Sequence, residues 1–223
     1  METQKPQQFA SYLLAGDQQN AIRLLRAIAT NQPRFRVYQE LLTPAMRYIG
    51  DLWERNEITV AEEHVATAVC DFVLAQYHYR PDDQRVLPVH SHNYKAMFSC
   101  LEGEQHALGL KMVAGLFDEQ GWDTRYMGAD LPLEYTVGKA KMWQPDVIGL
   151  SVSLLYHLPN LRAYVEKLEG LDYGPTVLVG GRLASKYDLR PYCSNHTVII
   201  EDMTKLENWL KLYKAGEKQN ASH

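Results

Sequence analysis

KAMFSCLEGEQHALGLKMVAGLFDEQ, residues 95–120, decides the architecture of the second half of the chain. A short strand-like run, KAMFSC, enters a polar loop. HALGLKMVAGLFDEQ then follows with its apolar residues at helical spacing. A strand feeding a helix through a short loop is the first half of a βαβ unit. The alternation continues outward. DTRYM, DVIGLSV, TVLVGG and TVII are further strand-like runs, separated and followed by the helical stretches LEYTVGKAKMW, LPNLRAYVEKLEG and TKLENWLKLY. Five such strands predict a doubly wound, flavodoxin-like (Rossmann-like) parallel sheet with helices on both faces. Ligands in such sheets bind at the carboxyl ends of the strands. The α/β domain is expected over residues 94–215, with a disordered tail over 216–223.

The preceding 1–79 reads as helix throughout. PQQFASYLLAG forms a first helix closed by Gly16, and Asp17 can cap a second whose Ala21, Leu24, Leu25 and Ile28 share a face. A third, RFRVYQELLTPAMRYIGDLWERN, carries Val37, Leu41, Met46, Ile49 and Trp53 at helical spacing, with Pro44 as a kink or break. Thr59 and Glu62 form a capping box for a fourth helix running to about Tyr77. Four amphipathic helices with short connections predict a helical bundle. The stretch from 80 to 93, with two prolines and several charges, reads as a linker.

Composition narrows the class of protein. At 223 residues with 46% hydrophobic and 22% charged content, the chain can bury two modest cores. A net charge of −4 offers no basic surface for nucleic acid, so direct nucleic-acid binding is not expected. No apolar run approaches the ~20 residues of a membrane span, and METQKPQQF lacks the apolar core of a signal peptide. Cys70, Cys100 and Cys193 lie far apart, with no CxxC pair, which fits a reducing cytoplasmic setting better than a disulfide framework or a zinc site.

The loop after the first strand, SCLEGEQHALGL, belongs at the ligand end of the sheet. Its glycines, Gly103 and Gly109, have neither the GxGxxG nor the GxxxxGK[ST] spacing, so a nucleotide site is disfavoured. What it presents is Glu104, His106 and Gly109 as E-x-H-x-x-G. One ring nitrogen of a histidine can ligate a metal while a carboxylate accepts the proton on the other. An exposed histidine beside a helix-start glutamate is the plain alternative for the loop alone. Two further stretches tip the balance. The third strand ends in GLSVSLL, with Ser151 and Ser153 at the same sheet edge. The fourth ends in VLVGGRL, with Gly180 and Gly181 where backbone must come close to something.

In order, these three stretches resemble the signature of the cobalamin-binding domain family, over about residues 93–215. The resemblance implies that His106 is the lower ligand of cobalt and Glu104 its hydrogen-bond partner. It also implies that Ser151, Ser153, Gly180 and Gly181 line the slot for the cofactor's nucleotide tail. The match is incomplete: methyl-carrying members usually show D-x-H-D-x-G-K-N where this chain has E-Q-H-A-L-G-L-K, and Ser153 stands where leucine is common.

In this family a helical bundle covers the cofactor's upper face. Trp53, then nine residues, then Glu63-His64 resembles one subgroup, the adenosylcobalamin photoreceptors of the CarH type; GEQHALG and YMGADLPLE also look more like that subgroup. The resemblance implies that Trp53 packs against the upper axial group, Glu63-His64 contacts the adenosyl region, Val60 joins the lid, and His64 takes the upper cobalt position after photolysis. Trp53 as bundle core with an ordinary Glu-His pair is the plain alternative. Few residues precede the first helix, so no DNA-binding domain is expected there. Output would pass through a protein partner or self-association. A light or cobalamin sensor, a corrinoid methyl carrier of a methyltransferase system, and a cobalamin store are the readings left open; none is itself an enzyme. AQYHYR, 75–80, leaves room for a linear tetrapyrrole such as a bilin as a second chromophore, although a packed aromatic helix end explains it as well. His78, His90 and His92 are expected at the surface or in the linker, and Cys70 and Cys100 buried and inert.

Overall fold

A computed structural model describes residues 4–30, 32–78 and 94–214. The predicted linker, including His90 and His92, and the predicted tail lie outside them. The chain divides into two compact units, Met1–Val86 and Leu87–His223.

The first unit is the bundle. Helix α1 (Gln4–Leu14) buries Phe9, Ala10 and Leu13. It stops at Gly16, whose φ of 69° is a left-handed value that glycine adopts without a Cβ clash. Asp17 then caps α2 (Gln18–Ala29) by accepting the Asn20 N–H at 3.0 Å. Helix α3 (Arg34–Val37), a π-helical turn (Tyr38–Leu42) and α4 (Thr43–Glu54) follow one another without a break. The expected kink or break at Pro44 is therefore absorbed. Proline has no N–H for the carbonyl four residues back, and the turn before it widens so that the Thr43 N–H reaches the Tyr38 carbonyl instead. Helix α5 (Val60–His78) opens on the predicted box: the Thr59 N–H donates to Glu62 at 2.7 Å, and the Glu62 N–H donates to the Thr59 hydroxyl at 3.3 Å. Val37, Leu41 and Ile49 are buried as their spacing predicts.

One expectation in the bundle needs correction. His78 is not a surface residue. Its ring contacts the buried Tyr38 hydroxyl and packs beside Tyr77, while its carbonyl accepts from Arg34 at 3.5 Å. The described part of AQYHYR is thus a packed aromatic helix end. The plain alternative for Trp53, a place in the bundle core, does not hold: it is 45% exposed.

The second unit is the α/β domain. Strands β1 (Lys95–Cys100), β2 (Asp123–Gly128), β3 (Val147–Ser151), β4 (Thr176–Gly180) and β5 (Val198–Ile199) pair in parallel in the order β2-β1-β3-β4-β5. That is the flavodoxin-like order, with its topological switch between β1 and β3. On one face, α6 (Leu108–Glu119) and α9 (Met203–Lys214) close over rings from Phe98, Phe117, Trp122, Trp209 and Tyr213. On the other, α7 (Leu133–Trp143) and α8 (Leu158–Glu169) pack Ala140, Leu161, Val165 and Leu168 against Met97, Ile148 and Val177. Both faces are covered, so β3 is buried at every position, as a central parallel strand should be.

Candidate functional site

Register brings three of the quoted stretches to one edge. Cys100, the last residue of β1, pairs with Ser151, and Ser151 pairs with Gly180. The loop carrying Glu104 and His106 leaves from Cys100, the serine turn from Ser151 and the double glycine from Gly180.

Within the loop, Glu104 is fully buried. A buried carboxylate is tolerated only when its oxygens are bonded, and all its partners come from this edge. Oε1 accepts from the His106 N–H at 3.0 Å and faces His106 Nδ1 at 2.6 Å; Oε2 accepts from the Ser153 N–H at 2.7 Å. Burial alone would raise its pKa, but these hydrogen bonds outweigh it and hold the carboxyl below its ordinary value. An ionised carboxylate can only accept, so when the His106 ring is neutral it carries its proton on Nδ1 and its lone pair on Nε2. The His106 side chain is 58% exposed. The result is an imidazole at the carboxyl edge of the sheet whose tautomer is set by Glu104, an arrangement able to donate Nε2 to a metal. Among the described residues no cluster of three or more His, Cys, Asp and Glu could hold a bare metal ion. A metal at this edge would bring its remaining ligands with it.

The glycines differ in kind. Gly109 sits in the first turn of α6, and a Cβ there would meet nothing within 4 Å. Packing within the chain does not require it, although glycine in a helix costs up to about 1 kcal/mol relative to alanine. Gly181 has φ 106°, and a Cβ there would lie 2.4 Å from the Val152 carbonyl oxygen, so the chain's own serine turn demands that glycine. Gly180 is less constrained, with the Ile200 carbonyl oxygen 3.5 Å from its notional Cβ. Ser151 is buried, and Ser153 is half-buried with its backbone N–H committed to Glu104.

Three residues at this edge escaped the sequence reading. Asp130, in the turn after β2, accepts from the Gly103 N–H at 2.6 Å and from the Gln105 side chain at 3.3 Å. Tyr164 on α8 accepts from the Glu102 N–H at 3.1 Å and donates to the Leu131 carbonyl at 2.6 Å. His157, 4% exposed, lies under Gly103, whose notional Cβ would be 2.9 Å from the ring. The only signal for Asp130 was its place in YMGAD after a strand. Tyr164 and His157 sit in apolar surroundings and read as packing.

The bundle residues form a separate group. Trp53 is 45% and Val60 54% exposed, and the His64 side chain is 74% exposed. Glu63 accepts from the Thr67 hydroxyl at 2.9 Å, and its other oxygen lies 3.7 Å from His64 Nε2. Val60 and His64, four residues apart, share a face of α5.

Comparison with known proteins accounts for both units. The α/β unit matches the B12 binding domain model over residues 94–202, and a second B12 binding domain model matches residues 7–77.

The chain belongs to the B12-binding domain family.

Its ligand is therefore cobalamin or a related corrinoid, and the E-x-H-x-x-G edge and the bundle fall inside the two matched regions. Dimethylamine corrinoid protein 1 of Methanosarcina acetivorans is 29% identical over 155 residues, 67% of this chain and 70% of that protein. The HTH-type transcriptional repressor CarH of Myxococcus xanthus is 27% identical over 176 residues, 78% of this chain but only 56% of CarH. The structure of the Methanosarcina barkeri monomethylamine corrinoid protein superposes with a TM-score of 0.71 at 16% identity, covering 95% of this chain and all of that one, which establishes the shared two-part fold. No helix among the described residues is long and apolar enough to cross a membrane.

Proposed function

We propose that the chain is a cobalamin-dependent sensor. In this reading His106 ligates cobalt from below with Glu104 fixing its tautomer, while Trp53, Val60, Glu63 and His64 cover the upper face. Cobalamin would supply a cobalt centre and, in its alkyl forms, a carbon–cobalt bond weak enough for visible light to break. The chain supplies the rest. Ser151, Ser153, Gly180 and Gly181 line the slot for the nucleotide tail, and Gly109 leaves room for the cofactor beside His106. Trp53 excludes water above the ring, and Glu63 bonds ribose hydroxyls of an adenosyl group. His64 would donate a ring nitrogen to the upper position when that position opens. Adenosylcobalamin is the form this lid suits, light the signal, and a protein partner or self-association the output.

One observation carries the reading. Trp53 and Val60 are large apolar side chains left at the bundle surface, in the same unit as an exposed imidazole. Single apolar side chains are common at protein surfaces, but an indole and a valine exposed in the same unit as an imidazole suit a covering role. A lid for a bulky upper ligand is that role. A methyl carrier of a methyltransferase system is the second reading, favoured by the 29% identity to a dimethylamine corrinoid protein over most of that protein's length.

The two readings part in the dark. A sensor of this kind binds adenosylcobalamin more tightly than methylcobalamin, and Trp53→Ala narrows the gap because it empties the lid. Titration of both cofactors into the wild type and the variant tests this. Equal affinities in the wild type would favour the methyl carrier.

A further inference from the structure

The His106 loop has little regular structure of its own. Between Cys100 and α6 its internal backbone bonds are few, among them the Glu104 N–H to the Leu101 carbonyl and the Ala107 N–H to the Gln105 carbonyl. Its position is set from outside, most of all by Asp130. One Asp130 oxygen takes the Gly103 N–H at 2.6 Å and the other takes the Gln105 amide at 3.3 Å, so the carboxylate grips both neighbours of Glu104. The grip is reciprocal, because the Asp130 N–H donates to the Glu104 carbonyl at 3.0 Å. Asp130 does this from a left-handed conformation, φ 54°, which few side chains tolerate. Gly103 meets it with φ 79° over the His157 ring. Two adjoining turns are thus held in uncommon backbone conformations that serve one another, the kind of strain that is retained where geometry matters.

We propose that Asp130 is a positioning residue for His106: its carboxylate locks the Gly103–Gln105 segment so that the Glu104–His106 pair meets cobalt in a single geometry. This rests on the reading of His106 as the lower ligand. Asp130 does not touch His106. It acts on the loop, and so on the competition between His106 and the cofactor's own base for the lower position. A free loop spends its binding energy on ordering; a clamped one does not. Loss of outer partners of a metal ligand typically weakens binding by 10–100-fold.

Three variants separate the clamp from the backbone. Asp130→Gly adopts φ 54° without strain but has no carboxylate. Asp130→Asn keeps an oxygen for the Gly103 N–H and tolerates the same conformation. Gln105→Ala removes one clamp bond and leaves residue 130 untouched. Each full-length protein is produced with 15N-histidine, loaded with cobalt(II) cobalamin, and examined by electron paramagnetic resonance. A histidine nitrogen on cobalt splits each line into a doublet; the cofactor's unlabelled base splits it into a triplet. We expect the doublet in the wild type and in Asp130→Asn. In Asp130→Gly we expect the ratio of histidine-bound to base-bound cobalt to fall by about 10-fold, with an intermediate fall in Gln105→Ala. Wild-type doublet fractions in both Asp130→Gly and Gln105→Ala would overturn the proposal. A triplet in the wild type would remove the His106 reading itself, and the proposal with it.

Discussion

At the level of single residues, the site depends on one buried carboxylate and the groups that satisfy it. Glu104 could not remain ionised and fully buried without the two N–H groups and the imidazole that bond it. Replacing His106 with alanine removes the proposed cobalt donor and one of those bonds. The variant should stay folded but hold cobalamin roughly 10-fold or more weakly, without a histidine nitrogen on cobalt; equilibrium dialysis and spectra of the bound cofactor check this. Gly181→Ala acts differently. It forces a positive φ on a residue with a Cβ and drives that Cβ into the Val152 carbonyl. It should destabilise the α/β unit by about 1–3 kcal/mol, read as a lower denaturation midpoint, whether or not cobalamin is present. The Glu104–His106 contact and the close backbone approach at Gly181 were legible in the sequence, because E-x-H-x-x-G and GG each point to a definite local geometry. Asp130 was not legible, because an aspartate in a turn is ordinary and only the fold brings 130 beside 103.

At the level of elements, capping and breaking signals predicted most of what formed. The Thr59–Glu62 box starts α5, Asp17 starts α2, and Gly16 ends the chain's first helical run. Thr59→Ala should cost about 1 kcal/mol and fray the turn that carries Val60, Glu63 and His64, visible as faster amide exchange there than in the rest of α5. Pro44 was the ambiguous signal. Periodicity alone cannot tell a broken helix from one that widens by a single residue, and the π-helical turn at Tyr38–Leu42 was the answer. At Trp53 periodicity alone left core and surface both open. Trp53 falls on the apolar period of its helix, yet it sits at the helix end, where the core no longer reaches it.

For the whole molecule, the two units were legible as a change of periodicity from purely helical to alternating strand and helix. What the alternation could not supply was the arrangement of groups around the buried thiols and phenols. Cys70 and Cys100 are buried as expected, and burial pushes their thiols up to about 12. Burial also raises Cys193, Tyr164, Tyr173 and Tyr213 to about 12. Each of these groups is neutral when protonated and has a folded pKa above its unfolded one. Their contribution to stability is therefore complete below the unfolded values, about 8.5 for cysteine and 10 for tyrosine, and is lost as pH rises toward 12. Thermal midpoints should hold to about pH 8 and then fall, with Cys70 and Cys100 resisting alkylation at neutral pH while the protein is folded. The central claim is that one chain carries two histidines for one cobalt, His106 below and His64 above, and that the second engages only after the upper group leaves. The measurement that tests it most directly is the absorption spectrum of the adenosylcobalamin-loaded protein before and after green light, in the wild type and in His64→Ala. The account predicts a wild-type photoproduct with nitrogen at both axial positions that resists added cyanide, and a His64→Ala photoproduct with water above cobalt; a wild type that itself ends with water above cobalt would contradict it.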